Sequence, residues 1–290
     1  MRLILPVFAF VLTACPQDDD SGTDSQHSHS HEVVLSFAAN VGDLAAACGT
    51  DYTVGSADNA VQLADARLML SNIQLRNTEG GWDNLELDES AWQHDSIALL
   101  DFEDGTAACA DSGTSQLNDQ IIGQIAHGNH DKVRFDVGVP FAFNHLDSAT
   151  APAPLNTPGM FWAWQSGYKF LRVDFAVAGE ASSRWNVHIG STGCVSDAPT
   201  AAPEDPCSRP ARATIEVDLP PTGELTLDLA SLVSAVDLSA NSAETPPGCM
   251  SSPTEPADCT GTYGALGMSF DTAECVDDCA GQTLFTEAGD

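Results

Sequence analysis

The sequence predicts an all-β fold, a disulfide-stapled β-sandwich with long loops. Seven segments rich in β-branched and aromatic residues recur along the chain, several with apolar–polar alternation. Proline and glycine punctuate the intervals between them. Eight cysteines remain once Cys15 is set aside, and an even number in an oxidising compartment reads as a disulfide framework.

At the N-terminus, residues 1–14 read MRLILPVFAFVLTA, one arginine followed by an apolar run. The run is shorter than the roughly 18 residues expected of a membrane-spanning helix, so a secretory signal is the better reading. It ends in Leu12-Thr13-Ala14-Cys15, which resembles a bacterial lipobox. By that resemblance residues 1–14 are a lipoprotein signal peptide and Cys15 is lipidated as the mature N-terminus. An ordinary cleaved signal with an incidental cysteine is the alternative. The expected location is therefore the periplasm or cell surface, with the protein held at the membrane by its N-terminal lipid. Gln17 and Asp18 do not match the usual inner-membrane retention signal, which favours the outer membrane. Residues 15–31 are polar and of low complexity, a flexible tether in which His27, His29 and His31 alternate. Alternating imidazoles can share a soft or borderline metal ion; a solvated linker is the plainer reading.

Residues 32–290 read as a single β-rich domain. The strand signals are Val33–Val41, Ile97–Phe102, Lys132–Val139, Tyr168–Val177, Arg184–Ile189, Ala213–Leu219 and Glu224–Leu229. In the third, Val133, Phe135, Val137 and Val139 alternate with polar or small residues; in the fourth the alternation is imperfect. Asp65–Leu75 fits neither the helical nor the strand period, and Ala230–Val236 fits one or two helical turns. Residues 240–290 are loop-rich and expected to depend on their cysteines. Cys194 with Cys207, and Cys249 with Cys259, each bracket a Pro-containing loop; Cys275 and Cys279 suit a small local loop; Cys48 is left to Cys109. If all eight are bridged, no thiolate remains for a blue-copper, zinc-finger or iron–sulfur site. A metal site would then use histidine, methionine, carboxylate or something less usual.

Composition narrows function without naming it. Asp and Glu number 42 against 10 Lys and Arg, a formal charge of −32. Neutralising phosphates needs clustered cations, so nucleic acid is excluded as a partner. The same balance disfavours docking on anionic lipid through basic residues. Other chemistries lack their signatures: there is no Gly-rich phosphate loop, G-x-S-x-G elbow, H-E-x-x-H helix, C-x-x-C-H haem motif or EF-hand spacing.

The densest segment is Pro154 to Trp164, where Met160, Phe161, Trp162 and Trp164 fall within five residues. In a strand Trp162 and Trp164 share a face, and composition alone makes them a hydrophobic plug. His145 follows a strand signal and His188 lies inside one. A lone strand histidine is usually a hydrogen-bonded structural residue, yet two imidazoles plus a soft third donor suit copper. His127 and His130 flank Gly-Asn and read as an exposed turn, and His94 beside Trp92 has no evident partner.

Taken in order, these pieces resemble the MbnP family, the metallo-mystery pair four-Cys motif proteins. The shared pattern spans most of residues 33–270: Asp65-Ala66-Arg67 with Ser71; Leu99-Leu100-Asp101-Phe102 with Gly105 and Cys109; Gly138-Val139-Pro140 with Asn144-His145; Pro154-Leu155-Asn156; Met160 to Trp164; Gly167 to Phe170; His188 to Cys194; and Gly248-Cys249-Met250-Ser251 with Cys259. The resemblance implies a lipid-anchored periplasmic or surface protein that binds one Cu(I) in copper storage, delivery or sequestration and is not itself an enzyme. It also implies that Trp162 is oxidised to kynurenine by a dihaem partner resembling MbnH, cytochrome c peroxidases and MauG. His145, His188 and the modified Trp162 are then the metal residues, with Trp164 intact beside them. Met160 is a candidate thioether contact, though a core methionine is its plainer role. Asp65 and Arg67 are implied to form a buried ion pair. The HSHSH tether, the Cys275/Cys279 pair and the acidic C-terminal extension lie outside the family pattern. Two competing functions fit the same residues: a copper redox enzyme, and a metal-free adhesion or polymer-binding sandwich.

Overall fold

A computed structural model describes residues 30–111, 113–126, 128–179 and 184–286. Cys15, His27, His29 and His127 lie outside the described residues. The class is all-β, with 41% strand and 11% helix. Two sheets form the sandwich. The first runs in the order 285–286, 224–228, 30–41, 120–126, 86–87. The second runs 213–218, 130–137, 59–77, 171–177, 184–189, 248–249, with short strands added along the edges of its longest member.

Between the sheets lies one apolar core. Leu35, Phe37, Ile121, Leu225 and Leu227 face Leu68, Leu70, Phe135, Val137, Val173 and Val187. Phe135 joins the layers through edge contacts, its centroid 6.2 Å from Phe37 and 4.9 Å from Phe285. Such aromatic pairs add to the gain from area alone.

The ambiguous Asp65–Leu75 segment is part of a 19-residue strand, Asn59–Asn77, at the centre of the second sheet. Its residues 63–71 are all buried. Both faces are covered, so the apolar–polar alternation that marks a half-exposed strand is lost. This strand changes partners along one edge. Residues 61–68 pair with Leu171–Val177, and residues 70–77 with His130–Val137. The exchange falls at Met69, whose N–H donates to the Phe170 carbonyl (2.7 Å) and whose carbonyl accepts from Gly138 N–H (2.9 Å).

Four disulfides close the loops: Cys48–Cys109, Cys194–Cys207, Cys249–Cys259 and Cys275–Cys279. These are the pairs that spacing suggests. Ala230–Val236 overlaps the short 3-10 helix Leu229–Val233, whose first turn is capped by Asp228 accepting from Ala230 N–H.

The expected strand Tyr168–Val177 is split, with Gly167–Tyr168 a separate short strand and the sheet strand starting at Leu171, and two further features differ from expectation. The first strand begins at Ser30, with Ser30 opposite Ala126 and His31 opposite Ile125. His31 thus leaves the tether for the sheet, because backbone pairing extends past the apolar residues that mark the strand in sequence. The loop-rich segment after residue 240 contains an α-helix, Pro256–Ala265. Pro256 starts it, as proline suits a first helical turn. Gly261, Gly264 and two threonines mask it by weak helix propensity.

Candidate metal centre

The partner exchange at Met69 sets the position of the site. One partner strand ends there and runs into Gly138–His145. The other begins there, emerging from residues 160–170. Strand Arg184–Ile189 is antiparallel to the second, pairing Ile189 with Leu171 and His188 with Arg172. Its end therefore reaches the same place, fixed by the 2.6 Å bond from Phe170 N–H to the Ile189 carbonyl. Three segments far apart in sequence converge on the outer face of the second sheet. A separate apolar cluster supports them: Met69, Ile97, Leu99, Val139, Leu155, Met160, Tyr168 and Phe170. Met160 is fully buried there, in the core role that its side chain suits.

Phe161–Ala163 and Gly167–Tyr168 form a small hairpin that carries the two tryptophans. Trp164 lies in the turn just beyond the strand, so strand geometry does not place both rings on one face. Neither ring is fully buried, which sets them apart from a core plug. Gly190 makes room for Trp162: a Cβ there would stand 2.7 Å from the ring. Gly167, at φ +71°, presses on Asn144, where a Cβ would come within 2.4 Å of the backbone oxygen.

Each candidate imidazole is held in one tautomer. His145 Nδ1 lies 2.8 Å from the Trp164 carbonyl, which only accepts, so Nδ1 carries the proton and Nε2 the lone pair. Asn144 Oδ1 accepts from Tyr168 N–H, which turns its amide nitrogen toward that lone pair at 3.2 Å. Burial pushes the His145 pKa down, outweighing the carbonyl bond that raises it, and favours the neutral ring that a metal requires. His188 Nε2 is 2.8 Å from Asp174 Oδ1. Burial works to raise the Asp174 pKa, but the His188 bond and charge, then the Arg172 charge, hold it below the usual range. The carboxylate is thus ionised and accepts, leaving Nδ1 as the lone-pair nitrogen of the neutral ring. That Nδ1 is buried without a hydrogen-bond partner. A histidine braced by a carboxylate with its other nitrogen unused is the arrangement common to metal ligands.

The imidazoles reach the tryptophan hairpin from two directions, His145 through the Trp164 backbone and His188 through the strand end at Gly190. The compact three-donor groups among the described residues do not contain both. Below them runs a line of alternating charge. Asp174 accepts from Arg172 (3.0 Å), Arg172 approaches Asp65 (3.2 Å), and Asp65 accepts from Arg67 Nε (2.8 Å). The Asp65–Arg67 ion pair is buried as the resemblance implies. Lys169 donates to the Gly159 carbonyl (2.8 Å) and lies 5.9 Å from the Trp162 ring centroid. Burial first, then the Arg172 charge, pulls its pKa down to about 8.

The other histidines are placed apart. His94 Nδ1 pairs with Glu89 Oε2 at 2.8 Å, a partner hidden in sequence because a turn brings it close. His130 sits in a strand beside Asp83 (3.2 Å), with the His31 ring 6.4 Å away, rather than in an exposed turn.

Further along this face, Asp101 is buried and its pKa is pushed up to about 7 by that burial. It holds its proton more tightly folded than unfolded. Its stabilising contribution is full below about pH 4 and lost as pH rises through about 7. Asp101→Asn should flatten this decline, with less stability lost between pH 5 and 8 in urea unfolding than in the parent. An equal loss would place the dependence elsewhere.

A family model described as MbnP matches residues 30–251. Among solved structures, MbnP from Methylosinus trichosporium aligns with a TM-score of 0.77 at 28% sequence identity, covering 89% of this chain and 98% of that one. No curated protein matches.

Proposed function

Because the chain belongs to the MbnP family, we propose that it is a copper-binding accessory protein whose site joins His145, His188 and a kynurenine made from Trp162. Family membership and the structural match support a copper-related binding role rather than catalysis. The observation that carries the finer reading is the buried, unpartnered Nδ1 of His188, backed by Asp174. His145 offers a second imidazole lone pair, at Nε2.

Intact indole is a poor third donor, since its nitrogen carries a proton and no basic lone pair. Oxidative cleavage of the indole C2–C3 bond, with C2 then leaving the nitrogen as formate, converts it to an aniline amine and a ketone. Trp162 suits that change because its ring is only half-buried, in a hairpin on the outer face. Imidazole suits copper among several borderline metals, and family membership is what points to copper. Asp174 holds the His188 ring, and the Trp164 carbonyl holds that of His145. The oxidant is a dihaem partner of the MbnH type, and the protein works as a Cys15-lipidated domain at the outer membrane, in the periplasm or at the surface.

The test is peptide mass spectrometry of protein from its native envelope, with copper measured on the same sample. Kynurenine at Trp162 together with bound copper supports the reading. Unmodified Trp162 and no copper would leave a disulfide-bonded sandwich with a structural tryptophan.

A further inference from the structure

We propose that Cys194, Cys207 and His145 form an alternative, latent site for Cu(I), opened when a dithiol reductant breaks the Cys194–Cys207 disulfide, and that it competes for His145 with the site proposed above. The site requires no change at Trp162. The two sulfurs and a His145 ring nitrogen all lie within 4.8 Å of one another. Cys207 Sγ is 3.6 Å from Nε2, the nitrogen left with the lone pair by the Trp164 bond. Two thiolates and an imidazole are a soft donor set that favours Cu(I).

Opening the bridge would not scatter these donors. The neck of the loop is closed independently by reciprocal bonds between Thr192 and Arg209 (2.9 and 3.1 Å), and by Ser208 N–H to the Gly193 carbonyl (3.3 Å). The loop has no lysine or arginine from Val195 to Pro206, and it carries Asp197, Glu204 and Asp205, so its charge favours an approaching cation. Cys194 is half-buried, as are Cys48 and Cys275, whereas Cys249 and Cys259 are both fully buried. A similar group, Cys48, Cys109 and Glu103, offers a hard carboxylate in place of the imidazole and so suits Cu(I) less well. Its Glu103 oxygens already accept from Thr114 and Gly105 N–H.

The chemistry balances. A dithiol is oxidised to its disulfide while the Cys194–Cys207 bond is reduced to two thiols. Cu(I) then displaces one proton from each thiol, and Asn144 yields its contact with Nε2 to the ion.

The test uses the mature protein with unoxidised Trp162, made without a dihaem partner, so that its outcome is separate from the kynurenine reading. The protein is reduced anaerobically with dithiothreitol, freed of it, and titrated with Cu(I) against a chromogenic chelator. Differential alkylation reports which cysteines have opened. The expected result is alkylation of Cys194 and Cys207, with additional Cu(I) bound relative to identically treated C194S/C207S protein and an ultraviolet thiolate-to-metal band. H145Q, which keeps both cysteines, should weaken this binding by about a hundredfold, at least the loss that an outer-shell partner causes. Equal Cu(I) uptake by parent and C194S/C207S overturns the proposal. So does an H145Q protein that binds like the parent, or a disulfide that stays closed in the folded chain.

Discussion

Trp162→Phe, produced beside its oxidising partner, is expected to lose copper binding by at least about a hundredfold, a larger effect than loss of an outer-shell contact. Phenylalanine keeps a ring of similar bulk against Gly190 but cannot open to an amine and a ketone. Trp164→Phe should retain both the modification and the metal, because the contact from that residue to His145 is its backbone carbonyl. Competition titration with Cu(I) and peptide masses measure both variants. Copper bound by Trp162→Phe as tightly as by the parent would remove the modified side chain from the ligand set.

Arg67→Met should produce the largest loss of stability. Arg67 and Asp65 are almost wholly buried, with side-chain exposures of 1% and 0%. Removing the arginine takes a bidentate, charged partner from Asp65 in a dry interior, although Arg172 still approaches it at 3.2 Å. Breaking a buried pair by deleting one partner costs about 3–5 kcal/mol, against a total stability of roughly 5–15 kcal/mol for ordinary domains. The comparison is Arg76→Met. That guanidinium also holds an aspartate in a bidentate grip, Asp131 at 2.7–2.8 Å, but at the surface. Water and salt screen such pairs, so little change is expected. Urea unfolding midpoints of the two variants settle the order. Similar losses would mean that burial does not govern the strength of the Asp65–Arg67 pair.

Much of the fold was legible because strand signals are local. Alternation at Val133, Phe135 and Val137 needs only one covered face, and that strand forms as its pattern indicates. Cysteine spacing was equally local for the three short loops. The longest strand was not legible, because burial of both faces erased its period. The helix at Pro256–Ala265 was hidden by its glycines and threonines. Of the candidate site, residue order and the family resemblance singled out His145, Trp162 and His188 from the other histidines and aromatics. They could not say which groups hold each imidazole, the Trp164 carbonyl for His145 and Asp174 for His188.

By itself, then, the sequence determined the β class and a chemistry inventory poor in cations, and suggested the cysteine pairs. The tertiary structure alone decided that three segments converge at Met69. It alone turned the lone pair of His145 to Nε2 and that of His188 to Nδ1, and brought Cys207 beside His145 across 62 positions of chain. The physical reason is range. Propensity and periodicity act over a few residues, whereas sheet register and the exchange of strand partners join residues whose separation leaves no mark in the local pattern.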